Sequence, residues 1–310
     1  MRSLKEIVEA VRSYPGVLRK RYAGYFSKLV NSEFYGEDAA YLKVGDEYII
    51  FATDSIWHRV IEADLYWAGF VSILVNVHDI YAMGGRPIAA LNVVSARSKE
   101  ELREIARGMR DACEKFDVKI VGGHVHPDAT PSIDVSMIGR ARKILRSDTA
   151  RVGDSIVLAA DIEGEPHPKL PYNFNSTEKS KEVLLHQFES MIEIAERSIA
   201  NAAKDISNAG ILGTIAMMME VSRKGCEIFV DRIFKPENVD FVQWILSYPA
   251  CAFVVTTKNV KETVEVFENH GLKAEEIGRV TEDRKVTLRW KGEEETLFDL
   301  NVESVLEIKE

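Results

Sequence analysis

Four aspartates, each at the end of a predicted element or on its polar side, are the residues best suited to chemistry in this sequence. They lie in Gly36-Glu37-Asp38-Ala39-Ala40, Thr53-Asp54, Asn76-Val77-His78-Asp79 and Asp205-Ile206-Ser207-Asn208. Buried carboxylates are costly, so several of them at one site require cations or hydrogen-bond donors. Mg²⁺ held by carboxylates and phosphate oxygens is the common solution, which predicts a nucleoside triphosphate site. The alternative for any single aspartate is a helix cap or an ordinary salt-bridge partner.

A second candidate segment, Gly122-Gly123-His124-Val125-His126-Pro127-Asp128, follows a strand predicted over 118–121. A His-x-His sequence at a strand end is a possible transition-metal site, with Asp128 as a further ligand or base of a metal-dependent hydrolase. Such a site needs more histidines, and those farther along the chain are His167, His186 and His270. The alternative is that His124 and His126 line a polar loop.

Other segments offer groups for an anionic substrate. The sequence has neither a G-x-x-x-x-G-K-[ST] nor a strand-linked G-x-G-x-x-G motif, so any nucleotide must bind in another way. A helical pattern over residues 4–11 and the basic stretch after it, which includes Lys20, are predicted to form a mobile arm; Lys20 either contacts phosphate or lies on a solvated helix face. Residues 161–177 are predicted to be a long polar loop, either a substrate lid or simply exposed. Gly210 and Gly213 fall at a predicted helix start, which favours an anion.

Composition and charge exclude several classes of protein. The net charge of −9 gives no long-range attraction for nucleic acid or an anionic membrane. Three widely separated cysteines, Cys113, Cys226 and Cys251, indicate reduced thiols rather than a disulfide framework. The sequence shows neither a signal peptide nor an apolar run long enough to cross a membrane. These features predict a cytoplasmic protein with neither a nucleic-acid nor a membrane partner.

The positions of the aspartates are set by a mixed series of predicted strands and helices. Residues 48–53 read as a strand ending at Asp54, and a helix over 64–83 places Asn76 and Asp79 on one face. The polar stretch 146–153 predicts a boundary between domains 1–147 and 148–310. Because strands and helices do not alternate strictly, we predict an α+β fold with helices on one face of largely antiparallel sheets.

Six segments occur in the order that marks the aminoimidazole ribonucleotide synthetase superfamily, which the sequence resembles from about residue 34 to its end. The superfamily includes thiamine-monophosphate kinase, selenophosphate synthetase, formylglycinamide ribonucleotide amidotransferase and the hydrogenase maturation dehydratase. The segments are 36–40, Ala52-Thr53-Asp54, 75–87 (Val-Asn-Val-His-Asp-Ile-Tyr-Ala-Met-Gly-Gly-Arg-Pro), Gly122-Gly123, Arg151-Val152-Gly153-Asp154 and Asp205-Ile206-Ser207.

The resemblance implies a two-domain synthetase-like fold. In it, a ferredoxin-like amino-terminal half joins its sheet to that of a second subunit, as a dimer sheet or barrel, and the carboxyl-terminal half is α+β. MgATP would lie in a cleft near the interface of this homodimer and phosphorylate a small-molecule acceptor, as in a kinase or a synthetase. The implied metal ligands are Asp38, Asp54, Asp79 and Asp205, with Asp54 and Asp205 also catalytic. The implied nucleotide contacts are Asn76, Asp79, Gly122, Gly123 and His124, to which the basic stretch adds Lys20.

Several positions depart from the superfamily's patterns. His124 stands where many relatives have Asp, Glu or Asn, and Asn208-Ala209 stands where the kinase branch has Asp-Gly. The amino-terminal cysteine or selenocysteine of the selenophosphate branch is also absent. The sequence therefore most resembles the less characterised synthetase-related branch, which includes proteins labelled as methanogenesis markers. These departures leave open a non-catalytic, nucleotide-binding regulatory homodimer as an alternative.

Overall fold

A computed structural model describes residues 3–30, 32–33, 36–249 and 251–307 of the chain, and its two halves are both α+β, as predicted. The helices are α1 (Leu4–Ser13), α2 (Pro15–Leu18), α3 (Arg21–Leu29), α4 (His58–Ala63), α5 (Leu65–Ala82), α6 (Lys99–Phe116), α7 (Lys181–Arg197), α8 (Gly210–Val221), α9 (Phe241–Leu246) and α10 (Val260–Asn269). The strands are β1 (Ala40–Val44), β2 (Glu47–Ser55), β3 (Arg86–Ala96), β4 (Lys119–Pro127), β5 (Ser132–Ala141), β6 (Ser155–Ala160), β7 (Glu165–His167), β8 (Leu170–Asn175), β9 (Ala202–Asp205), β10 (Gly225–Phe229), β11 (Tyr248–Pro249), β12 (Ala252–Thr257), β13 (Lys273–Thr281), β14 (Lys285–Trp290) and β15 (Glu293–Asp299).

The amino-terminal half is a five-stranded sheet in the order β1-β2-β5-β3-β4, antiparallel except for the parallel β3–β4 pair. Alternate residues of β2, including the fully buried Ile50, pack against α5, and α6 packs on α5 in turn. Gly108 allows this helix pair to pack closely, because a Cβ there would lie 1.9 Å from the Tyr66 carbonyl oxygen. Helix α5 is consequently buried on all sides, including its polar residues Asn76 and Asp79.

The opposite face of this sheet has no covering layer in the described part of the chain. On the three central strands of this face, large apolar side chains remain 39–50% exposed, among them Phe51, Leu91, Val93 and Ile138. The sheet is open, so the barrel implied by the resemblance is not closed within one chain.

The carboxyl-terminal half is a seven-stranded sheet in the order β15-β14-β10-β13-β6-β12-β9. We predicted helices on one face of each sheet, but here helices cover both faces. Val157 and Ala159 of β6 share a core with α5 and α7, whereas Ile156 and Leu158 share a core with α1, α8 and α9. Every residue of β6 is buried, because a strand packed on both faces has no solvent side for polar residues.

Two further expectations about local structure are wrong. Residues 4–13 are not part of a mobile arm: Leu4, Ile7 and Val11 form an apolar stripe that is buried against the carboxyl-terminal half. Residues 161–177 are not a plain loop, because they contain the antiparallel pair β7–β8, and β8 also pairs with β11. None of the helices in the described ranges has both the length and the apolar composition needed to cross a bilayer.

Candidate active site

The structure brings the four sequence-predicted aspartates together from four different elements. Asp38 precedes β1, Asp54 lies near the end of β2, Asp79 is in α5, and Asp205 is the last residue of β9. Carboxylate oxygens of Asp38, Asp79 and Asp205 lie within 4.8 Å of one another. Asp54 shares a hydrogen bond with Asp79. We call these four residues the aspartate cluster.

Two lysines oppose the charge of the aspartate cluster. Lys204, which is 5% exposed, forms an ion pair with Asp38 and donates to the Gly36 carbonyl oxygen at 3.0 Å. The positive charge of Lys20 acts on Asp54 and Asp205. With two lysines facing four carboxylates, the cluster is left short of positive charge. Sequence reasoning missed Lys204, although a lysine in the otherwise apolar run before Asp205 was a usable signal.

Burial raises the pKa of every carboxyl group in the aspartate cluster. The pKa of Asp38 is raised to about 7, although the Lys204 charge acts in the opposite direction. The pKa of Asp79 lies well above its ordinary value because of burial and the neighbouring charges of Asp54 and Asp205. The pKa values of Asp54 and Asp205 are also raised by burial. Such a cluster is stabilised either by protons or by a cation.

The donor set of the aspartate cluster fits a hard divalent cation. Asp38, Asp79 and Asp205 each offer a carboxylate oxygen from a separate element, and no nitrogen or sulfur ligand belongs to this group. Mg²⁺ prefers such oxygen ligands and usually keeps other positions for water or phosphate oxygens. The residues present therefore fit Mg²⁺ better than they fit zinc.

His78 supports the cluster from inside the protein. Its ring is 4% exposed, and burial lowers its pKa to about 3, so the imidazole is neutral. The Ala252 backbone N–H donates to Nε2 at 3.4 Å, and Nδ1 lies 3.9 Å from an Asp205 oxygen. His78 thus holds α5 against β12 beside Asp205. His78 belongs to the segment 75–87, and the sequence alone predicted no role for it.

The turn that follows Asp205 packs closely against α2 and the end of α9. Gly16 of α2 lies so near that a Cβ there would be 1.9 Å from the Asn208 carbonyl oxygen. Gly210 has φ of +71°, and a Cβ there would lie 2.4 Å from the Ile245 carbonyl oxygen. The glycine predicted at this helix start is thus required by close packing and by its left-handed backbone.

A cavity of about 130 Å³ opens beside the aspartate cluster, between α4 and α5 on one side and β8, β11 and the turn after β9 on the other. Asp54, Asp79 and Asp205 line it, and Lys20 lines it as well. Its aromatic lining residues, which sequence reasoning did not single out, are Trp57, Trp67, Phe174 and Tyr248. The cavity therefore joins a charged centre to an aromatic chamber between the two halves.

Not all the predicted site residues line this cavity. Asn76 is fully buried in α5, where Nδ2 donates to the Ser72 carbonyl oxygen at 3.0 Å and Oδ1 has no partner in the described chain. Gly122, Gly123 and His124 lie on the exposed edge strand β4. These four residues, and also Asp38, are absent from the cavity lining.

The His-x-His segment is a strand and not a polar loop. His124 and His126 both lie within β4, with ring centres 5.4 Å apart, and Asp128 accepts a hydrogen bond from the Thr130 backbone N–H at 2.8 Å. Within residues 3–30, 32–33, 36–249 and 251–307, three possible metal ligands lie close together only in the aspartate cluster. The geometry therefore gives the metal-hydrolase interpretation no support.

A stability measurement tests the raised carboxyl pKa values. In EDTA, Asp79→Asn is expected to raise the melting temperature at pH 8 and to leave it nearly unchanged at pH 4. The folded-state pKa of Asp79 lies above the unfolded value of about 4, so its stabilising contribution is complete below pH 4 and is lost as pH rises. Differential scanning calorimetry at both pH values checks this, with exposed Asp117→Asn as the control. A variant less stable than wild type at pH 8 would contradict it.

Comparison with known proteins adds independent information on this arrangement. The family described as "AIR synthase related protein, N-terminal domain" matches residues 36–141, and "AIR synthase related protein, C-terminal domain" matches residues 151–291. Uncharacterized protein MJ0640 of Methanocaldococcus jannaschii is 39% identical, covering 98% of this chain and 99% of the relative. A selenide, water dikinase of Carboxydothermus hydrogenoformans is 29% identical over 64% of this chain and 60% of the relative.

Solved structures share the fold. The structure titled T. maritima PurL complexed with ATP superimposes with a TM-score of 0.73 at 18% identity, covering 84% of this chain and 46% of that chain. The chain thus spans about half the length of this PurL. At such identity the likeness establishes the fold alone.

Proposed function

Because the chain belongs to the AIR synthase related protein family, we propose that it is an ATP- and Mg²⁺-dependent phosphotransferase or ATP-activating synthetase acting on a small molecule. The observation that carries the proposal is the meeting of four aspartates from four elements beside an aromatic cavity. A dikinase among the relatives and a structural neighbour bound to ATP support it.

Each group of the cluster has a role in this proposal. Asp38, Asp79 and Asp205 would hold Mg²⁺, with Asp54 hydrogen-bonded beside them, and the ion would neutralise phosphate charge during phosphoryl transfer. Lys20 places a further positive charge at the cavity for phosphate oxygens. Asp54 and Asp205 face the cavity, where a carboxylate can accept the proton of an acceptor hydroxyl group.

The second part of the proposal is a homodimer formed through the uncovered sheet face. Phe51, Leu91, Val93 and Ile138 expose apolar side chains on three adjacent strands, β2, β5 and β3, and exposed apolar surface of this kind marks an interface. Gly122, Gly123 and His124 lie on the edge strand β4 of the same sheet. We keep them and Asn76 as proposed nucleotide contacts, and residues 1–147 and 148–310 as the proposed domains. Sedimentation analysis should give twice the chain mass, and Leu91→Glu should yield monomer.

Calorimetric titration with the nonhydrolysable analogue AMP-PNP tests the nucleotide site. Binding is expected with Mg²⁺ and at least about ten-fold weaker binding in EDTA, because the four carboxylates repel phosphate when no cation is present. Equal affinity with and without Mg²⁺ would contradict a role of the cluster as a magnesium site. The absence of any binding would reject the proposed function.

A regulatory nucleotide-binding dimer is the second candidate. The presence of His124 and Asn208 at positions where many relatives are acidic favours it. Tight, Mg²⁺-dependent AMP-PNP binding together with no ATP consumption across candidate acceptors would select this candidate. Consumption of ATP that depends on an added acceptor would exclude it.

A further inference from the structure

We propose that the acceptor is a small, uncharged and mostly apolar molecule carrying a hydrogen-bond donor, and that it binds in the cavity beside the aspartate cluster. This inference rests on the proposed function, since it assigns the second substrate of that reaction. The apolar and aromatic part of the cavity, called here the acceptor pocket, is bounded by Trp57, Val60, Val71, Leu74, Phe174 and Asn208.

Position connects the acceptor pocket to the reaction. The same cavity is lined by Asp54, Asp79 and Asp205, so a molecule in the pocket lies directly beside the carboxylates that would hold Mg²⁺ and phosphate. Proximity of this kind is what phosphoryl transfer requires of its acceptor.

The walls of the pocket are apolar. Val60, Val71 and Leu74 come from α4 and α5 and are 4–9% exposed, and Phe174 comes from β8 and is 1% exposed. Both halves of the chain thus contribute to one hydrophobic surface. Contact with such a surface favours a ligand whose body is hydrocarbon-like.

Charge is confined to one end of the cavity. Apart from the carboxylates of the cluster and Lys20, the described lining residues are apolar or uncharged polar. Arg19 and Arg59 come near the chamber, but their guanidinium carbons stack on the Trp57 ring at 4.6 and 5.0 Å, and neither residue lines it. The described residues of the acceptor pocket include no charged side chain to neutralise a phosphate group on the acceptor. Burial of such a group among apolar side chains would therefore be costly.

Three polar side chains of the cavity are hydrogen-bonded to one another. The Trp67 indole N–H donates to Asn173 Oδ1 at 3.0 Å, and the Asn173 amide donates to the Tyr248 hydroxyl oxygen. By contrast, Asn208 Oδ1 is buried and has no hydrogen-bond partner within the described ranges. A hydroxyl or N–H group of the acceptor would supply the missing donor.

The volume sets the size of the acceptor. An engineered cavity of about 150 Å³ takes up one benzene molecule, so a cavity of about 130 Å³ takes a body of about the size of one aromatic ring. This matches a compact alcohol or amide.

Binding of matched probes tests the proposal. With wild-type protein, both alone and saturated with Mg²⁺ and AMP-PNP, ligand-observed NMR should detect 2-phenylethanol at least ten-fold more tightly bound than 2-phenylethyl phosphate. Trp57→Ala should weaken 2-phenylethanol at least five-fold. The matched control is Trp290→Ala, which should have no effect: Trp290 is also half-buried and has a cation, Lys291, over its ring, but it does not line the cavity.

A second variant tests the hydrogen bond. Asn208→Ala should weaken 2-phenylethanol several-fold while leaving ethylbenzene, which has no donor, unchanged. The proposal is overturned if the phosphate ester binds as tightly as the alcohol, if the alcohol does not bind, or if Trp57→Ala and Trp290→Ala behave alike. AMP-PNP binding is measured separately. If AMP-PNP does not bind but the probes bind as expected, the proposed function is wrong and the assignment of the pocket to a small apolar ligand is still supported.

Discussion

Asp79→Asn is expected to lower the affinity for AMP-PNP in the presence of Mg²⁺ by about 100-fold, which corresponds to about 2.7 kcal/mol. Asp79 is one of three carboxylates within 4.8 Å of one another, and it is also hydrogen-bonded to Asp54. Asparagine keeps the size of the side chain and one oxygen but removes the negative charge that attracts Mg²⁺. Calorimetry on both proteins, with and without Mg²⁺, measures the effect.

The control for this experiment is Asp128→Asn. Asp128 lies at the end of the His-x-His segment and outside the aspartate cluster, so its substitution is expected to leave nucleotide affinity unchanged. If Asp79→Asn binds AMP-PNP like wild type, the cluster is not the magnesium site. If Asp128→Asn loses AMP-PNP binding, the segment that contains His124 and His126 takes part in nucleotide binding.

Lys204→Met is expected to reduce the free energy of unfolding by about 3–5 kcal/mol at pH 8. Lys204 is buried and paired with the buried Asp38, and it also donates to the Gly36 carbonyl oxygen. Removing it leaves Lys20 alone to oppose the charge of four carboxylates. Urea unfolding of wild type and variant in EDTA measures the loss.

The loss should shrink as the pH is lowered. The pKa of Asp38 is about 7 with Lys204 present, and it rises further once that positive charge is removed. Below that pKa the folded variant carries a neutral Asp38 and needs no counter-charge, so at pH 5 the deficit should be smaller than at pH 8. The matched control is Lys181→Met, which breaks the exposed pair with Asp117 and should cost at most about 1 kcal/mol. Equal losses for both lysines would contradict the importance of the buried pair.

The amino-acid sequence by itself determined the fold class and the residues of the aspartate cluster. Apolar patterning located α5, which spans Leu65–Ala82 where 64–83 was predicted, and the strand predicted at 48–53 lies within β2. These elements follow from local properties, namely apolar periodicity, capping and chain-breaking glycines, which a sequence displays directly. The four aspartates stood out because charged residues are rare at the ends of such apolar elements.

Only the tertiary structure decided which groups meet. Lys204 pairs with a carboxylate 166 positions away, and Trp67, Asn173 and Tyr248 form one hydrogen-bonded series across the two halves. It also placed His124 on an exposed edge strand and put helices on both faces of the second sheet. Such contacts depend on how distant elements pack, and packing is set by the burial of whole surfaces rather than by neighbours along the chain. The charge balance and shape of the site therefore exist only in the folded chain.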